Sequence, residues 1–304
     1  MKKVHEMKKQ EIEIGVVNAF VKNAAGGNPA GVVLGADGLQ EAEMQALAAA
    51  VGYSETAFVS SHADGGFQLD FFTPNRRIAD CGHATVAAFS HMAAKGIVAD
   101  GETIKHTVDG PRKVVIKDGQ AFMEQLAPRY LDAPDWKGVT TGEVLASLGL
   151  EGADLLDGHA PVVVNTGNSF MLVGVRCAAT LAAITPVQAK IEAISDTLDL
   201  IGYYVFTLEA DSADASTRMF APRYGIPEES ATGMAAGPLA CLLHDRLGAT
   251  GPALTIEQGR YMAPSSVSEI HVALSVGDDG HITGLMAGGR ALPGDVKVVE
   301  VPHA

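Results

Sequence analysis

A cysteine, a glycine and a histidine stand together at Cys81-Gly82-His83. Ala84-Thr85 and a run of small apolar residues follow, ending near Ala94. If that run is helical, its first turn leaves backbone N–H groups and the positive end of the dipole at Gly82 and His83. Gly82 lets a ligand approach the backbone closely. His83 adds a group that titrates near neutrality. Such a place suits proton transfer on a small anion. The same residues also suit a tightly packed helix start with a satisfied buried histidine, and Cys81 also reads as a small buried hydrophobe. Cys81, His83 and His91 lack a plausible second half for a metal site, so no metal is expected.

Two other segments carry acids. Glu55 sits in Ser54-Glu55-Thr56-Ala57-Phe58, between a helix end and a strand. Beside Tyr53, Ala57 and Phe58 a carboxylate there could act as a general base; composition alone favours a surface turn glutamate with Ser54 as a local cap. Gly225 to Met234 reads Gly-Ile-Pro-Glu-Glu-Ser-Ala-Thr-Gly-Met, leading into a second small, apolar run. Acids favour a helix's first turn, so Glu228 and Glu229 are expected in a capping segment. Two helix starts facing one cleft would hold a small carboxylic acid.

The elements that must position these groups form a repeat. Gly27-Asn28-Pro29, Phe72-Thr73-Pro74, Cys81-Gly82-His83 and an apolar run to Gly96 are matched in order by Gly167-Asn168-Ser169, Phe220-Ala221-Pro222, Ala231-Thr232-Gly233-Met234 and a run to Gly248. Repetition of this kind sets the architecture. Residues 1–130 and 131–304 are expected as two homologous halves, with the boundary in the loop-like Ala127–Trp136 and the last strand, near 290–304, packing back on the first half. Periodicity predicts strands at Glu11–Phe20, Val32–Leu34, Thr56–Ser60 and Phe67–Phe72, and a helix over Leu39–Val51. It predicts further strands at Val162–Val164, Phe170–Val175, Tyr203–Leu208 and Ile270–Val276. The runs Gly82–Ala94 and Gly233–Leu247 have no polar face and should be buried on every side. Pro238 should kink the second or mark its first turn. Mixed sheets, each around one buried helix, account for this pattern; the fold class is α+β.

At 304 residues, with 47% hydrophobic and 19% charged residues, the chain has material for two packed cores. A formal charge of −14 argues against a nucleic-acid surface. Three cysteines, Cys81, Cys177 and Cys241, make no disulfide framework. The basic start MKKVHEMKKQ lacks the apolar stretch of a secretory signal, and no run approaches a membrane span. A soluble, cytoplasmic protein with no membrane partner is expected.

The motifs Gly27–Ala30, Ser54–Phe58, Phe72–Pro74, Cys81–Thr85, Phe220–Pro222, Ala231–Gly233 and Gln258-Gly259, taken together, resemble the PhzF-like family of phenazine biosynthesis. The likeness runs from about Glu11 to beyond Gly259. It implies the fold of diaminopimelate epimerase: two pseudo-symmetric halves, each a mixed sheet or barrel around one central helix, with the active site in the cleft between them. It further implies cofactor-free isomerisation by proton shuttling, and a homodimer. By position, the resemblance makes Glu55 the base, and Gly82 and His83 substrate-binding and acid/base partners. It puts Glu229 where an aspartate binds substrate or relays a proton. Asn28, Thr232, Gly233 and Met234 fall at substrate-binding positions, Met234 replacing a serine.

Three readings of function follow. One is an isomerase acting on a small carboxylic acid, Glu55 as base with His83 or Glu229 assisting. Another is an amino-acid racemase or epimerase using Cys81, for which the second helix start lacks a matching thiol. The last is a non-catalytic small-molecule-binding member of the fold, favoured by Met234 in place of the serine.

Overall fold

A computed structural model describes residues 9–302; the basic start read for a targeting signal falls largely outside them. The chain divides into two compact units. One takes in the described residues up to Ala19, Pro29–Ala121 and the described residues from Ala291; the other takes in Phe20–Asn28 and Phe122–Arg290. The division falls between Ala121 and Phe122, ahead of the stretch expected to be loop. That stretch is not all loop. Arg129–Asp132 is a strand, paired antiparallel with Val162–Asn165, and Ala133–Asp135 is a turn of 3₁₀ helix. Its prolines flank the strand rather than interrupt it, so they take no hydrogen bond from the ladder.

In the first unit, Lys9–Ala19 pairs antiparallel with Ala291–Pro302 along nearly its whole length, with a bulge between Gly15 and Val17. Asn28–Leu34 and Thr56–Ser61 run parallel, joined through α1 (Glu41–Val51). α1 is amphipathic: Met44, Leu47, Ala48 and Val51 enter a core with Ile14, Phe58 and Phe72. It stops at Gly52, whose φ of 74° is the left-handed cap that glycine supplies most easily. Phe67–Phe72 pairs antiparallel with Thr56–Ser61 and parallel with Gly101–Thr107, which turns back into Gly110–Lys117. α2 (Gly82–Ala94) is buried from Gly82 to Met92. Alanines at 84, 87 and 88 let the surrounding strands approach it, which is why the run needs no polar face.

The second unit repeats the plan. Val162–Asn165, Ser169–Gly174, Gly202–Thr207, Ala215–Ala221, Ala253–Gln258, Ser268–Val276 and Ile282–Gly289 pair in succession, mostly antiparallel. The parallel pairing of Ser169–Gly174 with Gly202–Thr207 is bridged by α4 (Ala178–Ala183) and α5 (Gln188–Leu198). α5 and α3 (Thr141–Leu148) close one core around Val173, Tyr203 and Phe220. α6 (Gly233–Arg246) is the counterpart of α2, buried from Ala235 to Leu243. Pro238 lies inside α6, past its first turn, so position 238 sends no N–H back to the Met234 carbonyl. Ile226–Glu229 is a strand, not the helix's first turn; α6 starts later, with Thr232 as its N-cap and no acid in its first turn. Extended pairing with Ala215–Ala221 overrides the acids' preference for a helix start. Among the described residues, no helix is long and apolar enough to cross a membrane.

Candidate active site

Within the first unit the sequence-predicted groups Glu55, Cys81 and His83 come together. Glu55 directly precedes the strand Thr56–Ser61 that follows α1, and its carbonyl accepts the Gly31 N–H at 3.0 Å. Its side chain points inward, leaving the residue 3% exposed. Glu55 Oε2 lies 3.3 Å from His83 Nε2. On the other side of the ring, His83 Nδ1 lies 3.4 Å from Cys81 Sγ. Glutamate, imidazole and thiol therefore form a line, with the ring in the middle and every member buried. A neutral imidazole carries one N–H, so the ring can donate toward one of these neighbours and accept from the other.

This line starts α2, where Thr85 is the first residue whose N–H returns to the Cys81 carbonyl. The amides of Gly82, His83 and Ala84 precede that bond and can receive an anion. Sulfur, nitrogen and oxygen donors of the trio lie within 4.8 Å of one another. Yet Cys81 and Glu55 meet opposite nitrogens of His83, so one ion would have to give up either contact. His91, on the same helix, is not part of the group. Its ring packs where a side chain at Gly15 would sit, and burial, with Lys95 beside it, holds its pKa below the ordinary value.

In the second unit, Glu229, Asn28 and Thr232 come together. Glu229 Oε1 accepts Asn28 Nδ2–H at 2.9 Å, and Oε2 accepts the Thr232 hydroxyl at 2.7 Å. Asn28 also donates to the Ala231 carbonyl. Gln258 completes the cluster: its Oε1 accepts the Thr232 N–H, and its Nε2 donates to the Glu229 carbonyl and to Thr232 Oγ1. Gly259 follows at φ 82°, where a Cβ would run into the Ser266 carbonyl. Gly233 packs against Phe20, and its carbonyl accepts Gln125 Nε2–H at 2.9 Å. Met234 is half-buried, and its sulfur lies 3.5 Å from Asn168 Nδ2, so the second Gly-Asn turn reaches α6 through a thioether instead of a hydroxyl.

Sequence reasoning missed Gln125, which looks like any polar residue of an alternating strand. It also missed Asp80 and Lys105, although Asp80 stands directly before Cys81.

Comparison with known proteins agrees with the motifs. The profile of the phenazine biosynthesis-like proteins, PhzC-PhzF, matches residues 17–292. An uncharacterized isomerase of Escherichia coli K12 is 33% identical over 267 residues, 85% of this chain and 89% of its own length. The trans-2,3-dihydro-3-hydroxyanthranilate isomerase of Pseudomonas aeruginosa is 31% identical over 233 residues, 74% of this chain and 77% of its own length. The crystal structure of a Bacillus anthracis PhzF-family protein superposes with a TM-score of 0.83 at 25% identity, over 95% of this chain and 99% of that one. A hydroxyproline epimerase of Agrobacterium vitis shares the fold at 11% identity, with a TM-score of 0.59 over 96% of this chain and 93% of its own. The chain belongs to the phenazine biosynthesis-like, PhzF family, whose named relatives include isomerases, and its α+β, diaminopimelate epimerase-like fold is as expected.

Proposed function

We propose that this chain is a cofactor-independent isomerase that moves a proton on a small carboxylic acid, with Glu55 as the base and His83 as its partner. The observation that carries this is the 3.3 Å contact between Glu55 Oε2 and His83 Nε2, buried beside the first turn of α2. A substrate carboxylate held by the Gly82 and His83 amides would put the adjacent C–H near Glu55. The carboxylate removes that proton as the electron pair moves toward the substrate's acid group. The proton, kept on Glu55 or passed to His83, then returns to a different carbon. Nothing is oxidised, so the cycle closes without a redox partner. Typical general acid–base contributions of about 10²–10⁴-fold set the scale for each group.

In this reading Glu229 holds Asn28 and Thr232 in place rather than moving the proton, since both of its oxygens already accept hydrogen bonds. Asn28, Thr232, Gly233 and Met234 take part in substrate choice. Met234 offers a substrate hydroxyl no strong partner, so a substrate less polar than that of the P. aeruginosa relative is favoured. The enzyme acts as a cytoplasmic homodimer, which sedimentation at micromolar protein would check.

The test is uptake of deuterium from D₂O into small carboxylic acids, with trans-2,3-dihydro-3-hydroxyanthranilate among them. Exchange that needs Glu55 supports the reading; equal exchange by Glu55→Gln sinks it. The Cys81–His83 contact favours a second reading, a racemase with Cys81 as base. Loss of exchange in Cys81→Ala, with Glu55→Gln still active, would establish that instead.

A further inference from the structure

Lys105 lies on the strand Gly101–Thr107, far in sequence from the α2 start, and is 1% exposed. Its ammonium has three N–H donors and meets three acceptors: Asp80 Oδ1 at 2.6 Å, Asp80 Oδ2 at 2.8 Å and Thr85 Oγ1 at 3.2 Å. A buried ion pair is weak evidence for stability by itself, because desolvation offsets most of the attraction. What these acceptors do next is informative. Asp80 Oδ1 also accepts the Cys81 N–H at 2.7 Å. Thr85 Oγ1 donates to the Cys81 carbonyl at 2.7 Å. Both partners of Lys105 thus grip the backbone of Cys81, one at its nitrogen and one at its oxygen.

Cys81 is the N-cap of α2 and makes no side-chain cap of its own. Gly82 follows it and restricts the backbone little. Without an outside hold, the ring two residues on would lose its fixed place between Glu55 and the thiol. Charge gives a second reason for the arrangement. Asp80 alone would oppose an anion at the α2 start, and the lysine cancels that field while leaving the hydrogen bond to Cys81.

We propose that Lys105 is a positioning residue for the proton-transfer site, acting through Asp80 and Thr85 on the backbone of Cys81 and thereby fixing His83 against Glu55. The inference rests on reading Glu55 and His83 as the working pair, so its test uses readouts that need no turnover. One is the side-chain ¹⁵N spectrum of His83 in histidine-labelled protein, assigned with His83→Asn. The other is the rate at which iodoacetamide alkylates Cys81, followed by peptide mass spectrometry with Cys177 as internal reference.

In Lys105→Met the His83 nitrogen signals should move, and Cys81 should alkylate about threefold faster or more while Cys177 is unchanged. Thr85→Val, which keeps both charges and the side-chain volume, should move both readouts the same way by less. The paired change Asp80→Leu with Lys105→Met removes the buried charges together and should fold even where the single variant does not. It should still show the displaced His83 signals. Parental His83 signals and parental Cys81 reactivity in that folded double variant would overturn the proposal. Absence of any substrate exchange in the parent protein would count against the isomerase reading alone. Where exchange is present, Lys105→Met should lower kcat and leave KM within about twofold.

Discussion

Gly237 sits in α6 at a point where the second unit has no room for a side chain. A Cβ there would come within 2.8 Å of Leu285 Cδ1 and of Gln125 Cδ, and closer still to Gln125 Oε1. Gln125 cannot swing aside freely. It is buried, its oxygen accepts the Thr166 hydroxyl at 2.8 Å, and its nitrogen donates to the Gly233 carbonyl at 2.9 Å. Gly237→Ala must therefore break those bonds or push Leu285. Two lost hydrogen bonds, with their buried partners left unsatisfied, cost about 2–4 kcal/mol. Crowding against Leu285 adds about 1 kcal/mol. The better helix propensity of alanine returns about 1 kcal/mol. The net loss is about 2–4 kcal/mol, or a fall in Tm of roughly 5–10 °C for a unit of this size. Urea denaturation of Gly237→Ala, Gln125→Ala and the double variant measures it. The glycine change should cost under about 1.5 kcal/mol once Gln125 is truncated, because only Leu285 is then crowded. A Gly237→Ala protein as stable as the parent would mean that Gln125 and Leu285 yield to a methyl group at no cost. An equal cost in both backgrounds would refute the part assigned to Gln125.

Other outcomes follow from single contacts. Asn28→Ala strips Glu229 Oε1 of its donor and should cost about 2–3 kcal/mol, with Asn28→Asp at least as harmful because it opposes two carboxylates. Burial alone would raise the Glu257 carboxyl, but the bonded Arg260 and Lys22 override it and hold it down at about 2. Its stabilisation is complete above its unfolded value of about 4.5 and fades as pH falls toward 2. Lys22→Met should flatten that part of the acid denaturation profile. His91 has the same sign at higher pH: its pKa is also lowered, by burial first and by Lys95 second, so the unfolded chain takes up the proton first. Stability should therefore fall as pH drops below roughly 6.5, and His91→Gln should reduce that slope between about pH 7 and 5.

The buried helices were legible because small apolar residues on every side leave a helix no solvent face, and both α2 and α6 appear where that pattern occurs. Glu55 and His83 stood out only through the motifs around them; composition alone favoured a turn glutamate and a packed histidine, and the structure brings the two side chains to 3.3 Å. Three features escaped for distinct reasons. The acids Glu228 and Glu229 fit a helix start by charge, but ladder pairing claimed them for a strand. Arg129–Asp132 hid between prolines. Lys105 reaches Asp80 only because Gly101–Thr107 pairs parallel with Phe67–Phe72, a register that no local pattern reveals. Strand pairing across long sequence separations decides such contacts, and local periodicity carries no record of it.

The central claim is that Glu55 carries the proton. Glu55→Gln keeps the side chain's size and its place beside His83 while removing the basic oxygen. The most direct measurement is the single-turnover rate of deuterium incorporation by this variant, run beside the parent on the acid that the parent exchanges fastest. The variant should fold and incorporate deuterium at least about 10²-fold more slowly. A folded Glu55→Gln protein that incorporates deuterium at the parental rate would contradict that claim.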